Sequence, residues 1–572
     1  MAVDLVLLHA PSVYDFRRKT ILYGPISDLI PSSPVFEMYP IGLTSIAEYL
    51  ENNGYRVRII NLAALMLSDD DFNAEELIKK LKAPVFGIDL HWLVHVHGAI
   101  EIARLVKKYH PDAKLVMGGL SATYFYRELF QYPEIDYVLR GDSTEDPFRL
   151  LLDCLKNGSD KALVPNLSWR NDEGQVEETP LSYVPDNLDG IMVHHYDNIL
   201  RSILRYRNIS GYIPFKGWLS YPITAALTCR GCTQNCVICG GSAFAYDKMC
   251  KRERPVFRSP EQVTGDVKSI KNISNGPIFI LGDIRQGGET YAEQLLTLLG
   301  KEKMRNRIIL ELFTPAPREL LQRMGEAAPG FCLEISPESH DNLVREASGK
   351  HYSNEDLENT IEYALKAGSQ RIDIFFMIGL PEQTPESVMG TIEYCGHLLE
   401  KFGEDKRVFP FISPLAPFLD PGSLAFEHSE HYGYKLLFKT LEEYRQALTA
   451  PSWKYTLNYE TKWMNRHEIV EVTYEANLRL NHIKAKYGLI QNKEAQTIER
   501  SISTALEMLH RIDAIIADGG NPDEDKILYT LKNTLNELSV SATCNKKELE
   551  LPVSFVKFNL LATMRSLLAK VW

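Results

Sequence analysis

From Val3 to about Asn157 short apolar runs alternate with segments of helical period. Leu5-Val6-Leu7-Leu8 reads as a buried strand, and Leu43, Ile46, Ala47 and Leu50 recur at helical spacing between Pro40 and Gly54. Val57-Arg58-Ile59-Ile60 and Val85-Phe86-Gly87-Ile88 predict two further strands, and Ala99, Ile102, Ala103 and Val106 another helix. Leu115-Val116-Met117 runs into Gly118-Gly119, and Ile135-Asp136-Tyr137-Val138-Leu139 runs towards Gly141. This α/β rhythm predicts a doubly wound, flavodoxin- or Rossmann-like parallel sheet over residues 1–157.

The rhythm lapses over 158–220, which reads as a connector with a hairpin turn at Asn171-Asp172-Glu173-Gly174. It restarts over 221–430, with strands expected at 222–229, 277–283, 307–313, 331–336, 372–379 and 407–413. Helices between them carry start and stop signals: Ser259-Pro260 with Gln262, Thr384-Pro385, and Gly368 after Leu357, Ile361, Ala364 and Leu365. Six β/α units fit a partial (β/α)6 TIM-like barrel, whose site lies at the C-terminal strand ends. Residues 431–572 are mainly helical. Ile498, Ile502, Ala505, Leu509, Ile512 and Ile516 form an amphipathic stripe that stops at Gly519-Gly520. No internal repeat or low-complexity tract interrupts the chain.

The 572 residues are 45% hydrophobic and 24% charged, which excludes a disordered or collagenous chain. A net charge of −12 argues against a general nucleic-acid binder. No apolar run approaches the ~20 residues of a membrane span; the best uncharged stretch, Val408 to Leu419, holds three prolines. The first residues, with Asp4 and no basic segment, do not read as a signal peptide, so a cytoplasmic protein is expected.

Four of the nine cysteines, Cys229, Cys232, Cys236 and Cys239, crowd into one segment after the first expected barrel strand. In a reducing compartment this clustering points to metal rather than disulfides. Three thiolates on a tight Cys232-x-x-x-Cys236-x-x-Cys239 loop suit an iron–sulfur cluster and leave one iron of a cubane open. Zinc is the rival, with Cys229 as the fourth sulfur, but structural zinc sites usually separate their ligand pairs more widely. Cys154, Cys332 and Cys395 fall on helix or strand positions and read as small core residues.

The cysteine spacing, with Arg230-Gly231 before it and Gly240-Gly241 after, resembles the radical S-adenosylmethionine (SAM) superfamily. Further motifs follow in the family's order. Ile278 to Asp283 resembles the second strand, where Gly282 and Asp283 would meet the SAM amino group. Leu333 to Ser339 resembles the fourth, where Ser336 and Glu338 would meet the ribose. Phe376 to Pro381 resembles the fifth, where Ile378 and Gly379 would meet adenine. The resemblance makes Cys232, Cys236 and Cys239 the ligands of a 4Fe-4S cluster. Ile238 stands where the family usually has an aromatic adenine contact. A later Gly287-Gly288-Glu289 is the alternative amino-binding turn, and Lys350 or Arg345 the candidate partner of the SAM carboxylate.

Gly118-Gly119-Leu120-Ser121 after one strand, Gly141 after the next, and Tyr39-Pro40-Ile41-Gly42-Leu43 resemble the cobalamin-binding domain that precedes many radical SAM barrels. A Gly-Gly turn lets backbone approach a large flat ligand at the sheet edge. The family's axial-histidine motif, Asp-x-His-x-x-Gly, is split. Asp89-Leu90-His91 lacks the glycine, and His95-Val96-His97-Gly98 lacks the aspartate. Asp89 and His91 are the candidates for the corrinoid face.

The resemblance implies an enzyme using a 4Fe-4S cluster, SAM and cobalamin, with an external flavodoxin- or ferredoxin-type reductant. Its leading activity is methylation of an unactivated carbon of a small-molecule or lipid-type substrate. The rivals are cobalamin-assisted rearrangement or cyclisation, a radical SAM enzyme whose N-terminal domain is only a scaffold, and an iron–sulfur carrier or zinc-stabilised module. A methylthio-transferring RNA enzyme would need three more upstream cysteines, and only Cys154 is present.

Overall fold

The computed structural model describes residues 3–25, 33, 35–191, 202–206, 209, 212–538, 543 and 546–559. Part of the 158–220 segment and of the C-terminal region therefore lies outside the described residues. The N-terminal strands are β1 (Leu5–His9), β2 (Val57–Asn61), β3 (Val85–Asp89), β4 (Lys114–Gly118) and β5 (Tyr137–Leu139), all parallel. Their order, β2-β1-β3-β4-β5, is that of a flavodoxin-like doubly wound sheet. Such sheets bind ligands outside the carboxyl ends of their strands, where the strand order reverses, here between β1 and β3. The hairpin after Leu167 extends this sheet: β6 (Leu167–Arg170) and β7 (Val176–Glu178) pair antiparallel at its edge.

The second sheet follows. β8 (Thr224–Leu227) leads directly into a short strand, β9 (Cys229–Arg230), which pairs antiparallel with β10 (Val256–Phe257). Then come β11 (Ile278–Leu281), β12 (Ile308–Leu312), β13 (Cys332–Glu338), β14 (Arg371–Ile378) and β15 (Val408–Pro414). Together with β8 they form six parallel strands in sequential order. This is an open arc of β/α units, with a bulge in β13 between Ile335 and Glu338.

Local chemistry accounts for the helices between these strands. Ser259 and Thr384 cap helices Pro260–Ile273 and Pro385–Phe402 by accepting from Gln262 N and Ser387 N, each with proline in the first turn. Cys395 faces the core from the second of these helices and Cys332 opens β13, both buried.

The C-terminal region adds long helices Arg466–Lys486 and Asn492–Ala517, and a small antiparallel pair, β16 (Tyr434–Leu436) with β17 (Tyr459–Thr461). No helix among the described residues is long and apolar enough to cross a membrane.

Candidate functional site

The cysteine loop leaves β9 at the C-terminal mouth of the arc. Cys232 Sγ accepts from Gln234 N at 3.3 Å, and Cys239 Sγ from Gly241 N at 3.3 Å. Cys229 differs: it is buried, its Sγ faces the Gly231 carbonyl at 3.7 Å, and burial pushes its thiol up to about 11. Burial also raises the Cys232 and Cys236 thiols. A bound cation overcomes such a rise, because a metal-coordinating thiol is deprotonated outright. Among the described residues, the trio of metal-ligating side chains with donor atoms all within 4.8 Å of one another is His9, Asp89 and His91, not the cysteines. A single tetrahedral zinc would draw its sulfurs to about 3.8 Å apart.

The adjacent strand ends face the same mouth. Gly282 follows β11 with φ +92°, a left-handed conformation, and its N–H donates to Glu311 Oε2 at 2.8 Å. Asp283 is buried and already spent: it accepts from Arg285 N at 3.0 Å, Phe313 N at 2.9 Å and the Arg285 guanidinium. It braces the turn from behind. Gln286 accepts from Thr233 N at 2.8 Å, tying this turn to the cysteine loop. The alternative Gly288-Glu289 is exposed.

At the end of β13, Glu338 adopts φ +67° and is 7% exposed. Lys350 Nζ holds its Oε1 at 2.9 Å and also reaches the Ser336 carbonyl. Burial opposes the Lys350 charge, yet Glu338 raises it above the ordinary lysine value. Glu338 Oε2 is buried with no hydrogen-bond partner. An orphan acceptor of this kind costs about 1–3 kcal/mol until a donor arrives. Arg345 is fully buried and committed to Tyr352 O, Ser339 O and Asn354 Oδ1, so it is structural. Both cations named for the SAM carboxylate are thus engaged within the protein.

Beyond β14, Gly379 has φ +96° and gives its N–H to Gln383 Oε1 at 2.8 Å. Its carbonyl accepts from Tyr434 OH at 2.8 Å, and Tyr459 OH, bonded to the Leu415 carbonyl at 2.8 Å, fills the space beside it. Both tyrosines come from the β16–β17 pair. Ile378 and Ile238 are buried in the core behind this turn.

A cavity of about 300 Å³ opens at the edge of the N-terminal sheet. Asp89, His91, Gly118, Gly119, Leu120 and Gly141 line one side, and Leu227, Cys229, Arg230 and Tyr246 close the other. Ser121 lies on the helix behind, outside the lining. Gly119 has φ +115°, and a Cβ there would lie 2.6 Å from the His91 backbone. Two chain segments meet at a distance only glycine permits.

At the rim, Asp89 accepts from His9 Nδ1 at 3.0 Å and from His91 Nδ1 at 2.7 Å. Burial opposes ionisation of Asp89, but His9 and His91 hold its carboxylate far below the usual range. His91 therefore offers its remaining ring nitrogen, Nε2, as the unpledged one. His95 packs 5.0 Å from His91, donates towards the Ala10 carbonyl, and is kept neutral by burial. His97 faces Tyr14 N, and burial lowers it to about 4. The second half-motif thus supplies packing: Gly98 sits against the Pro11 carbonyl. His9 is absent from the sequence reading; its only signal is a histidine closing an otherwise apolar strand.

Comparison with known proteins follows the same division. A family model described as B12 binding domain matches residues 29–151, and one described as Radical SAM superfamily matches residues 227–395. The cytidylyl-2-hydroxyethylphosphonate methyltransferase of Streptomyces wedmorensis is 26% identical over 416 residues, covering 64% of this chain and 74% of that protein. The radical SAM methyltransferase TsrM of Kitasatospora setae, solved with cobalamin and a [4Fe-4S] cluster, superposes with a TM-score of 0.55 at 16% identity over 77% of this chain and 81% of its own. The cobalamin-dependent radical enzyme OxsB, solved with aqua-cobalamin and SAM, gives 0.55 at 13% identity over 99% and 84%.

Proposed function

The chain belongs to the radical SAM proteins that carry a cobalamin-binding domain, and on that premise we propose that it methylates an unactivated carbon of a small molecule. The observation that carries this reading is a shared wall: β9 starts the cysteine loop and, through Cys229 and Arg230, closes the cavity at the N-terminal sheet. One strand thus sets two cofactor positions side by side.

A 4Fe-4S cluster with SAM would supply hydrogen abstraction from carbon at this mouth, and a corrinoid in the cavity would supply the methyl group. The chain's own residues bind and orient. Cys232, Cys236 and Cys239 hold the cluster, while Cys229 remains a packed thiol. Glu338 Oε2 accepts from a ribose hydroxyl, with Lys350 fixing the carboxylate and Ser336 beside it. Gly282 presents its carbonyl to the SAM amino group, and Asp283 acts behind it as a brace. The Ile378-Gly379 turn backs the adenine, held by Gln383 and Tyr434. Gly118, Gly119, Leu120 and Gly141 let backbone approach the corrinoid, and His91, steadied by Asp89, faces it. The apolar walls around these groups exclude water from the reacting carbon. An external flavodoxin- or ferredoxin-type protein delivers the electron, which fits a cytoplasmic setting.

The test is anaerobic purification with cobalamin supplied, with iron, sulfide and corrinoid measured on one sample. About four irons and one corrinoid per chain, followed by methyl transfer from labelled SAM to a trial substrate, are expected. Iron without corrinoid would reduce the N-terminal domain to a scaffold, and zinc in place of iron would overturn the reading.

A further inference from the structure

Four buried charges cross between the two halves at the shared wall. Arg230 Nη1 donates to Ser143 Oγ at 2.8 Å and to Glu145 Oε2 at 3.0 Å, and its Nη2 reaches Glu145 Oε1, a bidentate fork. Arg252 pairs in the same way with Asp142, donating Nη2 to Oδ1 at 3.1 Å and its Nε to the other oxygen. Its Nη2 also reaches Ser143 Oγ at 3.3 Å. The side chains of these four residues are between 1% and 9% exposed.

Each end of the bridge touches a different cofactor position. Asp142 on the turn after β5 and Glu145, which opens the helix Glu145–Asn157, line the cavity, and Ser45 Oγ donates to Glu145 from the helix opposite at 2.7 Å. Arg230 stands two residues before Cys232. Arg252 lies beneath the residue between them, since a Cβ on Gly231 would fall 2.9 Å from Arg252 Cδ. The cavity wall and the root of the cysteine loop are therefore one hydrogen-bonded unit. Ordinary apolar packing would join two domains without the desolvation cost of four buried charges. What the forks add is fixed register, because a displacement at either end leaves a buried charge unpaired.

We propose that this bridge couples the two cofactor sites, so that corrinoid in the cavity and cluster in the loop each favour binding of the other; the inference rests on the cofactor reading above. Arg230, Arg252, Asp142 and Glu145 act as positioning residues. A ligand in the cavity packs against Arg230, Asp142 and Glu145, which line it, and so holds the forks and the Arg230-Gly231-Cys232 backbone in place. A cluster fixes the same backbone from the other side. By linkage the enhancement is the same factor in both directions.

The probe is hydroxocobalamin, titrated by its absorbance into anaerobic full-length protein, once loaded with iron and sulfide and once as the cluster-free C232A/C236A/C239A variant. Cluster-loaded protein should bind at least ~5-fold more tightly, and it should retain more iron through gel filtration when hydroxocobalamin is present. The paired substitution Arg230→Gln with Glu145→Gln keeps a neutral bridge and should bring the affinity ratio close to one with iron content retained. Ser143→Ala removes only the shared hydroxyl. It should reduce the ratio by at least ~2-fold and gives a second route if the paired variant fails to fold. Equal affinity of cluster-loaded protein and the C232A/C236A/C239A variant, or a ratio unchanged by the bridge substitutions, overturns the coupling alone. No binding of hydroxocobalamin in any form overturns the cofactor reading with it.

Discussion

The barrel mouth and the sheet-edge cavity are built by opposite means. At the mouth, polar groups are abundant and mostly engaged with one another: Asp283 with Arg285 and Phe313, Lys350 with Glu338, Gly379 with Gln383 and Tyr434. Among the described residues, Glu338 Oε2 and Tyr352 OH are left there without partners, beside the three sulfurs. The cavity instead is walled by glycine and apolar side chains, with its buried charges drawn back into forks and a histidine–aspartate cluster. A site of the first kind reads a ligand by the bonds it completes, and one of the second kind by the shape it admits. The mouth should thus suffer most from deleted atoms, the cavity from added ones.

The strongest test of that contrast is deletion of a sulfur. Cys232→Ala, Cys236→Ala or Cys239→Ala should each abolish the iron–sulfur absorbance and reduce 5′-deoxyadenosine formation by at least ~1,000-fold. Cys229→Ala should keep its iron. An equal loss at Cys229 would favour a four-cysteine carrier and erase the distinction.

Added volume is the next largest effect. Gly119→Val places carbon inside the His91 backbone at a positive φ, and should weaken hydroxocobalamin binding by ~100-fold or more. Iron content of cobalamin-free preparations should match wild type, since the strain lies across the interface from the cysteine loop. Deletion at the same site, His91→Ala, should cost far less.

A single atom change at the mouth comes third. Glu338→Gln keeps the shape but removes the charged acceptor and leaves Lys350 unpaired. SAM affinity by equilibrium dialysis should fall ~10–100-fold. No change would place the ribose elsewhere.

The smallest effect separates the halves by pH. His97 is lowered to about 4 in the folded protein, against about 6.5 unfolded. The unfolded chain then binds more protons between those values, so stability rises with pH from about 4 to about 6.5. His97→Gln should flatten this pH dependence, read by amide exchange in helix Val96–Tyr109. A matching change in barrel amides would show that the halves unfold as one.

The strands were legible because each is a short apolar run bounded by polar or glycine residues, a signal that survives without partners. β11, β12 and β15 lie within two residues of their expected limits at either end. The cysteine loop was legible for a similar reason: its ligands are local. What escaped depends on contacts across long stretches of chain. His9 meets Asp89 eighty positions away, and Arg230 meets Glu145 across eighty-five; neither residue differs locally from a solvated histidine or arginine. Asp283 illustrates a subtler case. Sequence places it at the correct strand end, but only the arrival of Arg285 and Phe313 N decides that its oxygens face inward. The β16–β17 pair, three residues each within a helical region, is too short for its period to show.

That pair also bears on how the molecule is made. Gly379 and Leu415 end their strands with carbonyls held by Tyr434 and Tyr459. On the ribosome, at roughly 5–20 residues per second, the eighty residues separating Gly379 from Tyr459 take roughly 4–16 s to emerge. During that interval the N-terminal sheet, complete by residue 178, can form, while the Ile378-Gly379 turn lacks its tyrosine clamp. Synthesis therefore imposes a sequence on maturation, with the N-terminal sheet formed first and the barrel mouth closed last.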